Sequence, residues 1–203
     1  ATAQTSEKIT SPQRLYEEGR NLFQQKAFAA AMSPLHTFVK QINAEGNPLS
    51  AAGDKEEAEY MLVCAEYELR SPSSIELLRS YLDVYPDTPH ANRIYALIAS
   101  AYFFEGKYDE ALAMFNSTRL DLLSNEERDD MTYRLATCFL KTGNVKEAAI
   151  WFETLRSTGS KYAADCTYYL SYIRYSQQRY EDALSGFLSL QDNTKYKTLV
   201  PYY

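Results

Sequence analysis

Apolar residues recur along the chain at spacings of three and four, which place side chains on one face of an α-helix. The clearest case is an Ala followed four residues later by Phe, at 111–115, 148–152 and 183–187. The pattern therefore predicts a series of amphipathic helices. The predicted helices are 12–25, 28–43, 54–69, 72–84, 89–105, 108–121, 125–141, 145–157, 160–177 and 180–190.

Capping signals support these helices. A hydroxyl residue precedes a proline at three predicted helix starts, namely Ser11-Pro12, Ser71-Pro72 and Thr88-Pro89. Ser124 and Glu127 have the spacing of a capping box. Gly106 and Gly143 stand where a helix is expected to end, because glycine readily adopts the left-handed conformation of a helix C-terminus.

The helices occur in pairs that repeat along the chain. AYFFEGKYDEALAMF (101–115) aligns with CFLKTGNVKEAAIWF (138–152) and IRYSQQRYEDALSGF (173–187), and NLFQQKAFAAAMSPL (21–35) fits the same frame. Each pair has a small residue in its first helix, and most have an Ala followed by a large apolar residue in the second. The small residues are Gly19, Cys64, Ala99, Ala136 and Ser171. The second-helix residues are Ala31 and Leu35, Ala111 and Phe115, Ala148 and Phe152, and Ala183 and Phe187.

This frame resembles the tetratricopeptide repeat, and the spacings of 37 and 35 residues between successive small residues are near the 34 of that family. The resemblance implies an all-α fold, a right-handed superhelical solenoid of about five helical hairpins. Small residues let the two helices of a hairpin approach closely, and each hairpin covers apolar surface of its neighbour. The predicted repeats are 12–43, 54–86, 89–123, 125–158 and 160–192.

Several segments depart from the frame. NAEGNPLSAAGDKEE (43–57) is predicted to be a loop, since it contains Gly, Pro and Ser. The second repeat has ELRSPSS where others have a glycine turn, and Ser74 where others have Ala. KYKTLVPYY (195–203) is interpreted as the start of a sixth repeat without its second helix. We therefore expect the sequence to be the N-terminal part of a longer repeat protein.

Composition and charge narrow the class of protein. Only seven Gly and seven Pro favour helices. A net charge of −6 argues against nucleic-acid binding, which needs a clustered basic face, and the sequence contains no such cluster. We predict no transmembrane segment, because no apolar run approaches the roughly 18 residues of a membrane span. Cys64, Cys138 and Cys166 lack the short spacing of a metal site and are predicted to be core residues.

The start of the chain leaves three interpretations open. Residues 1–10 are predicted to be flexible, and Ala1-Thr2-Ala3 before Gln4 resembles the small-x-small end of a secretory signal peptide. A cloning remnant and an ordinary flexible start explain it equally well. If it is a signal-peptide remnant, we expect the protein in the periplasm or cell envelope of a bacterium, and otherwise in the cytoplasm.

No set of residues indicates catalysis. His36 and His90 are the only histidines and have no obvious nucleophile partner. The acidic run EERDD (126–130) is interpreted as a solvated helix start, where the helix dipole favours acids. We therefore predict a protein that is not an enzyme and has no cofactor, catalytic residue or metal site.

The resemblance implies that first helices line a concave groove that binds a peptide or protein. Twelve residues fall at the family's groove positions: Tyr16, Arg20, Phe23, Arg93, Ser100, Phe103, Tyr133, Thr137, Lys141, Tyr168, Tyr172 and Tyr175. The family's clamp for C-terminal carboxylates is not expected, since its Lys and Asn positions in the first repeat hold Tyr16 and Arg20. Tyr169 is predicted to face the packing side, and Arg174 stands where the family has an aromatic residue.

Two functions remain open from the sequence. The first is a non-catalytic scaffold that binds a peptide or protein partner in the groove, in a bacterial envelope complex. The second is the sensor or docking arm of a larger enzyme or signalling protein with a C-terminal output domain. In either case the groove aromatics have an alternative interpretation as packing residues between neighbouring helices.

Overall fold

A computed structural model describes residues 11–199, which form ten α-helices and two short 3₁₀-helices. The helices are α1 (Pro12–Gln24), α2 (Phe28–Ala44), α3 (Ala52–Glu68), α4 (Ser74–Val84), α5 (Ala91–Phe104), α6 (Tyr108–Asn116), α7 (Asn125–Lys141), α8 (Val145–Ser157), α9 (Ala163–Ser176) and α10 (Tyr180–Leu188). The 3₁₀-helices are Leu49–Ala51 and Leu120–Leu122. The prediction of an all-α repeat fold is confirmed. The predicted flexible start at 1–10 and positions 200–203 of the predicted sixth repeat lie outside the described residues.

The chain divides into two compact units, and the division falls inside α5, between Leu97 and Ile98. In the first unit, α1 packs against α2, α2 against α3, and α3 against α4. In the second unit the same order continues from α6 to α10, each helix packing against the next. Within each of these two series, helices that are neighbours in sequence are therefore neighbours in space, as in a stack of hairpins.

Each first helix ends in the same type of turn. The second residue after the helix adopts a left-handed conformation in all five cases, which are Lys26, Arg70, Gly106, Gly143 and Gln178. After α7 the amide of Gly143 donates to the carbonyl of Leu140, and the amide of Asn144 donates to that of Phe139. This is the Schellman arrangement, which satisfies the last carbonyls of the helix. The second repeat makes the same turn with Arg70, although it has no glycine there.

Close contact between the helices of a hairpin depends on small residues. A Cβ atom at Gly19 would lie 2.5 Å from the Leu35 side chain, and one at Gly186 would lie 1.9 Å from Ser171 Oγ. Ser171 is fully buried, and its hydroxyl donates to the carbonyl of Thr167 at 2.7 Å. Small residues therefore set the distance between first and second helices, as predicted.

The apolar core follows the predicted pattern. In the second unit a buried cluster joins α7, α8 and α9, and it contains Ala136, Ala148, Phe152, Leu155, Cys166, Leu170 and Ile173. The three cysteines are free and buried. Burial raises the pKa of the Cys64 thiol to about 11 and those of Cys138 and Cys166 to about 12. They behave as core residues, as the sequence suggested.

Several boundaries differ from the prediction. The predicted loop at 43–57 is shorter, because α2 continues to Ala44 and a 3₁₀ turn leads into α3 at Ala52. Helices α4 and α5 begin three residues after Ser71 and Thr88, whose hydroxyls accept from amides two residues on. Helix α6 ends at Asn116 rather than at residue 121, and a 3₁₀ turn follows.

Candidate partner-binding surface

The same aromatic contact recurs where one repeat meets the segment that follows it. A tyrosine of the first helix stacks on an aromatic ring from the next segment, and a carboxylate three residues before that tyrosine contacts the incoming ring. We call each set an aromatic junction. The first unit has one junction, formed by Glu57, Tyr60 and His90. The second unit has two, formed by Asp130, Tyr133 and Tyr162 and by Asp165, Tyr168 and Tyr196.

The geometry of the three junctions is similar. The ring centroids are 3.6 Å apart for Tyr60 and His90, and the rings are nearly parallel, with an angle of 6°. The Tyr133–Tyr162 pair has 4.4 Å and 10°, and Tyr168 stacks on its partner at 4.6 Å and 15°. Aromatic pairs at these distances contribute beyond the apolar area they bury. The stacked rings therefore help to fix one repeat on the next.

Hydrogen bonds to carboxylates complete the junctions. His90 Nε2 lies 2.5 Å from Glu57 Oε1, and the Tyr162 hydroxyl donates to Asp130 at 2.6 Å. Lys161 forms an ion pair with Asp130 at 3.0 Å. The Tyr196 hydroxyl likewise donates to Asp165, which Lys195 also contacts at 2.6 Å.

One acid and three tyrosines of the junctions in the second unit have shifted pKa values. Burial acts to raise the pKa of Asp130, but the hydrogen bonds from Tyr162 and Lys161 outweigh it and hold that pKa below its ordinary value. Burial raises the pKa values of Tyr133, Tyr162 and Tyr196, and neighbouring groups, mostly acids, add to the shift. The Tyr162 and Tyr196 phenols therefore stay neutral and donate to Asp130 and Asp165.

Two arginines cover side chains of the preceding first helix, and one of the covered residues, Ser100, was predicted to face the groove. Arg93 Nη1 donates to the Tyr60 hydroxyl at 2.7 Å and to Cys64 Sγ at 3.3 Å. In the second unit, Arg134 Nη1 donates to Ser100 Oγ at 3.0 Å, and its guanidinium lies 4.8 Å from the centre of the Phe104 ring. Ser100 is fully buried as a result.

The twelve predicted groove residues therefore divide into packed and exposed sets. Seven are buried or engaged in contacts between helices: Tyr16, Arg93, Ser100, Tyr133, Thr137, Tyr168 and Phe103, of which Phe103 packs on Tyr108. Phe23 is half-buried against Phe28. The exposed ones are Arg20, Lys141, Tyr172 and Tyr175. Tyr169 stacks on Phe152 on the packing side, and Arg174 pairs with Glu153 of α8 at 3.7 Å.

Three exposed tyrosines lie together at the end of α9 and the start of α10. Tyr172, Tyr175 and Tyr180 are 44%, 45% and 56% exposed, and the rings of Tyr175 and Tyr180 meet edge to face at 5.4 Å. We call these three residues the tyrosine surface. Such rings give a large contact area and a polar tip at a small cost in conformational entropy, and tyrosine is enriched at protein interfaces.

Sequence reasoning missed His90, Tyr162 and Tyr196, the incoming rings of the junctions. A signal was present for two of them, because Ser-Lys-Tyr at 160–162 returns as Thr-Lys-Tyr at 194–196. The acid EERDD segment was interpreted as a solvated helix start. Ser124 does cap that helix, but Asp130 belongs to a junction.

Between residues 11 and 199, no helix is long and apolar enough to cross a membrane. Within the same range, no group of three or more His, Cys, Asp or Glu residues could hold a metal ion.

Comparisons with known proteins agree with this repeat architecture. The family model described as Tetratricopeptide repeat matches residues 97–163. No curated protein matches the sequence. Among solved structures, MamA from AMB-1 is similar with a TM-score of 0.66 and 16% identity, covering 91% of this chain and 92% of MamA.

Two further structures share the fold. YrrB, described as a TPR protein with an unusual peptide-binding site, has a TM-score of 0.64 and 13% identity, covering 95% of this chain and 91% of YrrB. A Rap protein complexed with Competence and Sporulation Factor has a TM-score of 0.56 and 18% identity, covering 89% of this chain and 52% of that one. Residues 97–163 thus match tetratricopeptide repeats, and the chain has the fold of proteins built from them.

Proposed function

We propose that this chain is a non-catalytic scaffold that binds a peptide or protein segment on the tyrosine surface. The observation that carries the proposal is the exposure of Tyr172 and Tyr175, at 44% and 45%, on a helix whose neighbouring Tyr168 is packed. YrrB and the Rap protein, which share the fold, are described with a peptide-binding site and with a bound factor, respectively. Both descriptions support a binding role for the repeats.

The chemistry of the surface favours a partner with mixed apolar and polar groups. The tyrosine rings can pack against apolar side chains or prolines, and their hydroxyls can exchange hydrogen bonds with a peptide backbone. Since a few aromatic residues commonly supply most of the binding energy of an interface, two tyrosines are enough to anchor a short segment.

A phage-displayed peptide library selected on the purified protein tests the proposal. Selected peptides are titrated calorimetrically into the wild type and into a Tyr172→Ala, Tyr175→Ala double variant. We expect the double variant to bind at least about tenfold more weakly, because each truncated anchor at an interface costs more than about 1 kcal/mol.

The matched control is a Leu49→Ala, Val84→Ala variant, which removes two apolar side chains that are 91% and 65% exposed elsewhere. It should bind the selected peptides like the wild type. Both variants should keep the thermal unfolding midpoint within a few degrees. Equal binding by the wild type and the tyrosine variant, or no enriched peptide at all, would refute the proposal.

The cellular setting is a separate proposal. An envelope location in a bacterium depends on residues 1–4, which lie outside the described residues, and is tested by fractionation of the native host.

The alternative role, a docking arm of a larger enzyme or signalling protein, uses the same binding surface. The reading frame that encodes the chain distinguishes the scaffold from the docking arm: further repeats support a scaffold, whereas an enzyme or output domain supports a docking arm.

A further inference from the structure

A groove recurs between successive second helices, with the first helix between them as its floor. It has a volume of about 330 Å³ between α2 and α4, about 910 Å³ between α6 and α8, and about 520 Å³ where α8 meets α9 and the start of α10. The middle groove, which we call the α6–α8 cleft, lies within the second unit and is much the largest. Its size is typical of ligand-binding pockets.

The size of the α6–α8 cleft has a local cause. Each second helix has an Ala or Ser where it contacts the first helix closely. In four of the five repeats, the residue seven positions later is large and buried, namely Phe38, Tyr81, Leu155 or Leu190. The third repeat has Thr118 at this position, after α6 has ended at Asn116. A threonine is smaller than these side chains, so space remains above Leu135 and Phe139 of α7.

The interior of the cleft is apolar in effect, although four threonines line it. Each of their hydroxyls donates to a carbonyl three or four residues earlier in the chain, with distances between 2.6 and 3.0 Å: Thr118, Thr132, Thr154 and Thr158. These hydroxyls therefore need no hydrogen bond from a ligand. The remaining walls include Phe115, Leu135 and Trp151, so the cleft suits a group without polar atoms.

The rim of the cleft carries an excess of acid. Arg119 is paired with Asp121 at 2.8 Å. Arg128 donates to the neutral side chain of Asn125 at 2.6 Å and keeps its positive charge. Asp129 and Glu147 add two carboxylates to the same rim. Because the chain as a whole has a net charge of −6, this rim favours a ligand with positive charge next to its apolar part.

One exposed apolar residue follows the rim of the cleft in sequence. Leu122, which follows Asp121 of the rim, is 62% exposed. A small molecule held inside the cleft would leave this leucine in water, whereas a polypeptide lying across the mouth can cover both. The occupant that fits the surface is therefore a protein segment.

We propose that the α6–α8 cleft is a docking site for a leucine- or phenylalanine-sized side chain of a protein partner that has basic residues beside it. The incoming side chain takes the space that Phe38, Tyr81 and Leu155 fill in other repeats. This site is separate from the tyrosine surface and does not depend on it.

Filling the cleft from within gives the sharpest test. A phage-displayed library of 12-residue peptides is selected on the wild type and depleted on a Thr118→Leu variant. Selected peptides are titrated while the emission of Trp151, the single tryptophan of the chain, is recorded. We expect a shared large apolar residue next to Lys or Arg, and at least tenfold weaker binding to Thr118→Leu, whose thermal midpoint should rise by a few degrees.

Three further variants separate blocking from misfolding. Thr118→Val keeps the volume of the cleft and should bind like the wild type. Ala113→Leu blocks the cleft from its exposed α6 side and should weaken binding even if Thr118→Leu is poorly folded. Glu147→Lys should weaken binding severalfold, whereas Glu181→Lys, an equally exposed change in the first turn of α10, should have no effect.

Several outcomes would overturn the proposal. These are no enriched peptide, binding that is equal in the wild type, Thr118→Leu and Ala113→Leu, or enrichment of acidic rather than basic flanks. Sedimentation of the wild type and Thr118→Leu tests the other occupant: self-association that only the wild type shows would assign the cleft to a second copy of the chain. A Tyr172→Ala, Tyr175→Ala variant should bind these peptides normally, so this test can fail or succeed independently of the proposed function.

Discussion

Tyr168 and Tyr172 lie one turn apart on α9, yet one is packed and the other is exposed. Tyr168 stacks on Tyr196 and contacts Phe187, whereas Tyr172 is 44% exposed. The residue type and the helix are the same, so the difference comes from the segment that follows. Tyr168 receives an incoming aromatic ring, as Tyr133 does from Tyr162.

The positions equivalent to Tyr172 in the second, third and fourth repeats hold small side chains that are covered. Counted from the left-handed turn residue, they are Cys64, Ser100 and Thr137, all of which are buried. Arg93 contacts Cys64, and Arg134 contacts Ser100. The first repeat has Arg20 at this position and the fifth has Tyr172, and both of these larger side chains are exposed. A family groove position is thus available to a ligand only when its own neighbours leave it uncovered.

The largest expected effect comes from truncating one of the packed tyrosines. Tyr133→Ala removes the stack on Tyr162 and contacts with Phe152 and Tyr169. We expect it to lower the free energy of unfolding by about 2–3 kcal/mol, since truncating a packed aromatic side chain loses apolar burial and leaves a cavity. Urea denaturation followed by circular dichroism measures the change.

Tyr172→Ala is the matched control for that measurement. It removes the same side chain from an exposed position, so the free energy of unfolding should stay within about 0.5 kcal/mol of the wild type. Similar losses for the two variants would mean that Tyr172 is a packing residue, and the distinction between the two sets of tyrosines would then fail.

The sequence predicted the helices well because their signals are local. Ala at 111, 148 and 183 marks the close contact of each hairpin, and the spacing to the next large residue sets the face that is buried. Exposure of individual groove residues could not be predicted in this way. It depends on side chains about 30 residues away, such as Arg134 for Ser100 and Tyr162 for Tyr133. These contacts have no periodic signature within one helix.

The end of α6 was also beyond the local signals. The sequence predicts a helix to residue 121, but α6 stops at Asn116 and the chain turns through Leu120–Leu122. The backbone carbonyl of Met114 accepts from the Thr118 hydroxyl, a contact that competes with continuation of the helix.

A smaller effect sharpens the role of the carboxylate in the junctions. Asp130→Asn keeps the size of the side chain but removes the charge that accepts hydrogen bonds from Tyr162 and Lys161. We expect a loss of about 1–2 kcal/mol in the free energy of unfolding at pH 7, the range for a hydrogen bond to a charged group.

The pH dependence of this loss follows from the pKa of Asp130. The folded-state pKa lies below its ordinary value, so the carboxylate stabilises the fold above its unfolded pKa of about 3.9. That contribution disappears as the pH falls through the folded-state pKa. Urea unfolding at a series of pH values should therefore show the wild type and Asp130→Asn converging below about pH 4. A gap that persists there would mean that the charge is not the stabilising feature.

The smallest expected effect concerns the turn between α9 and α10, next to the tyrosine surface. Gln178 lies between Tyr175 and Tyr180 and has a φ of 63°, where Gly106 and Gly143 serve in other repeats. A residue with a Cβ atom is strained in this conformation by about 1–2 kcal/mol, and glycine avoids that strain. Part of this gain is offset because glycine has more conformational freedom to lose on folding. Gln178→Gly should therefore raise the free energy of unfolding by about 0.5–1 kcal/mol. Gln177→Gly, one residue earlier and outside the left-handed region, is the control and should lower it.

If the tyrosine surface is preformed, peptides selected on it will bind Gln178→Gly and the wild type equally, since the stabilised turn keeps Tyr175 and Tyr180 in place.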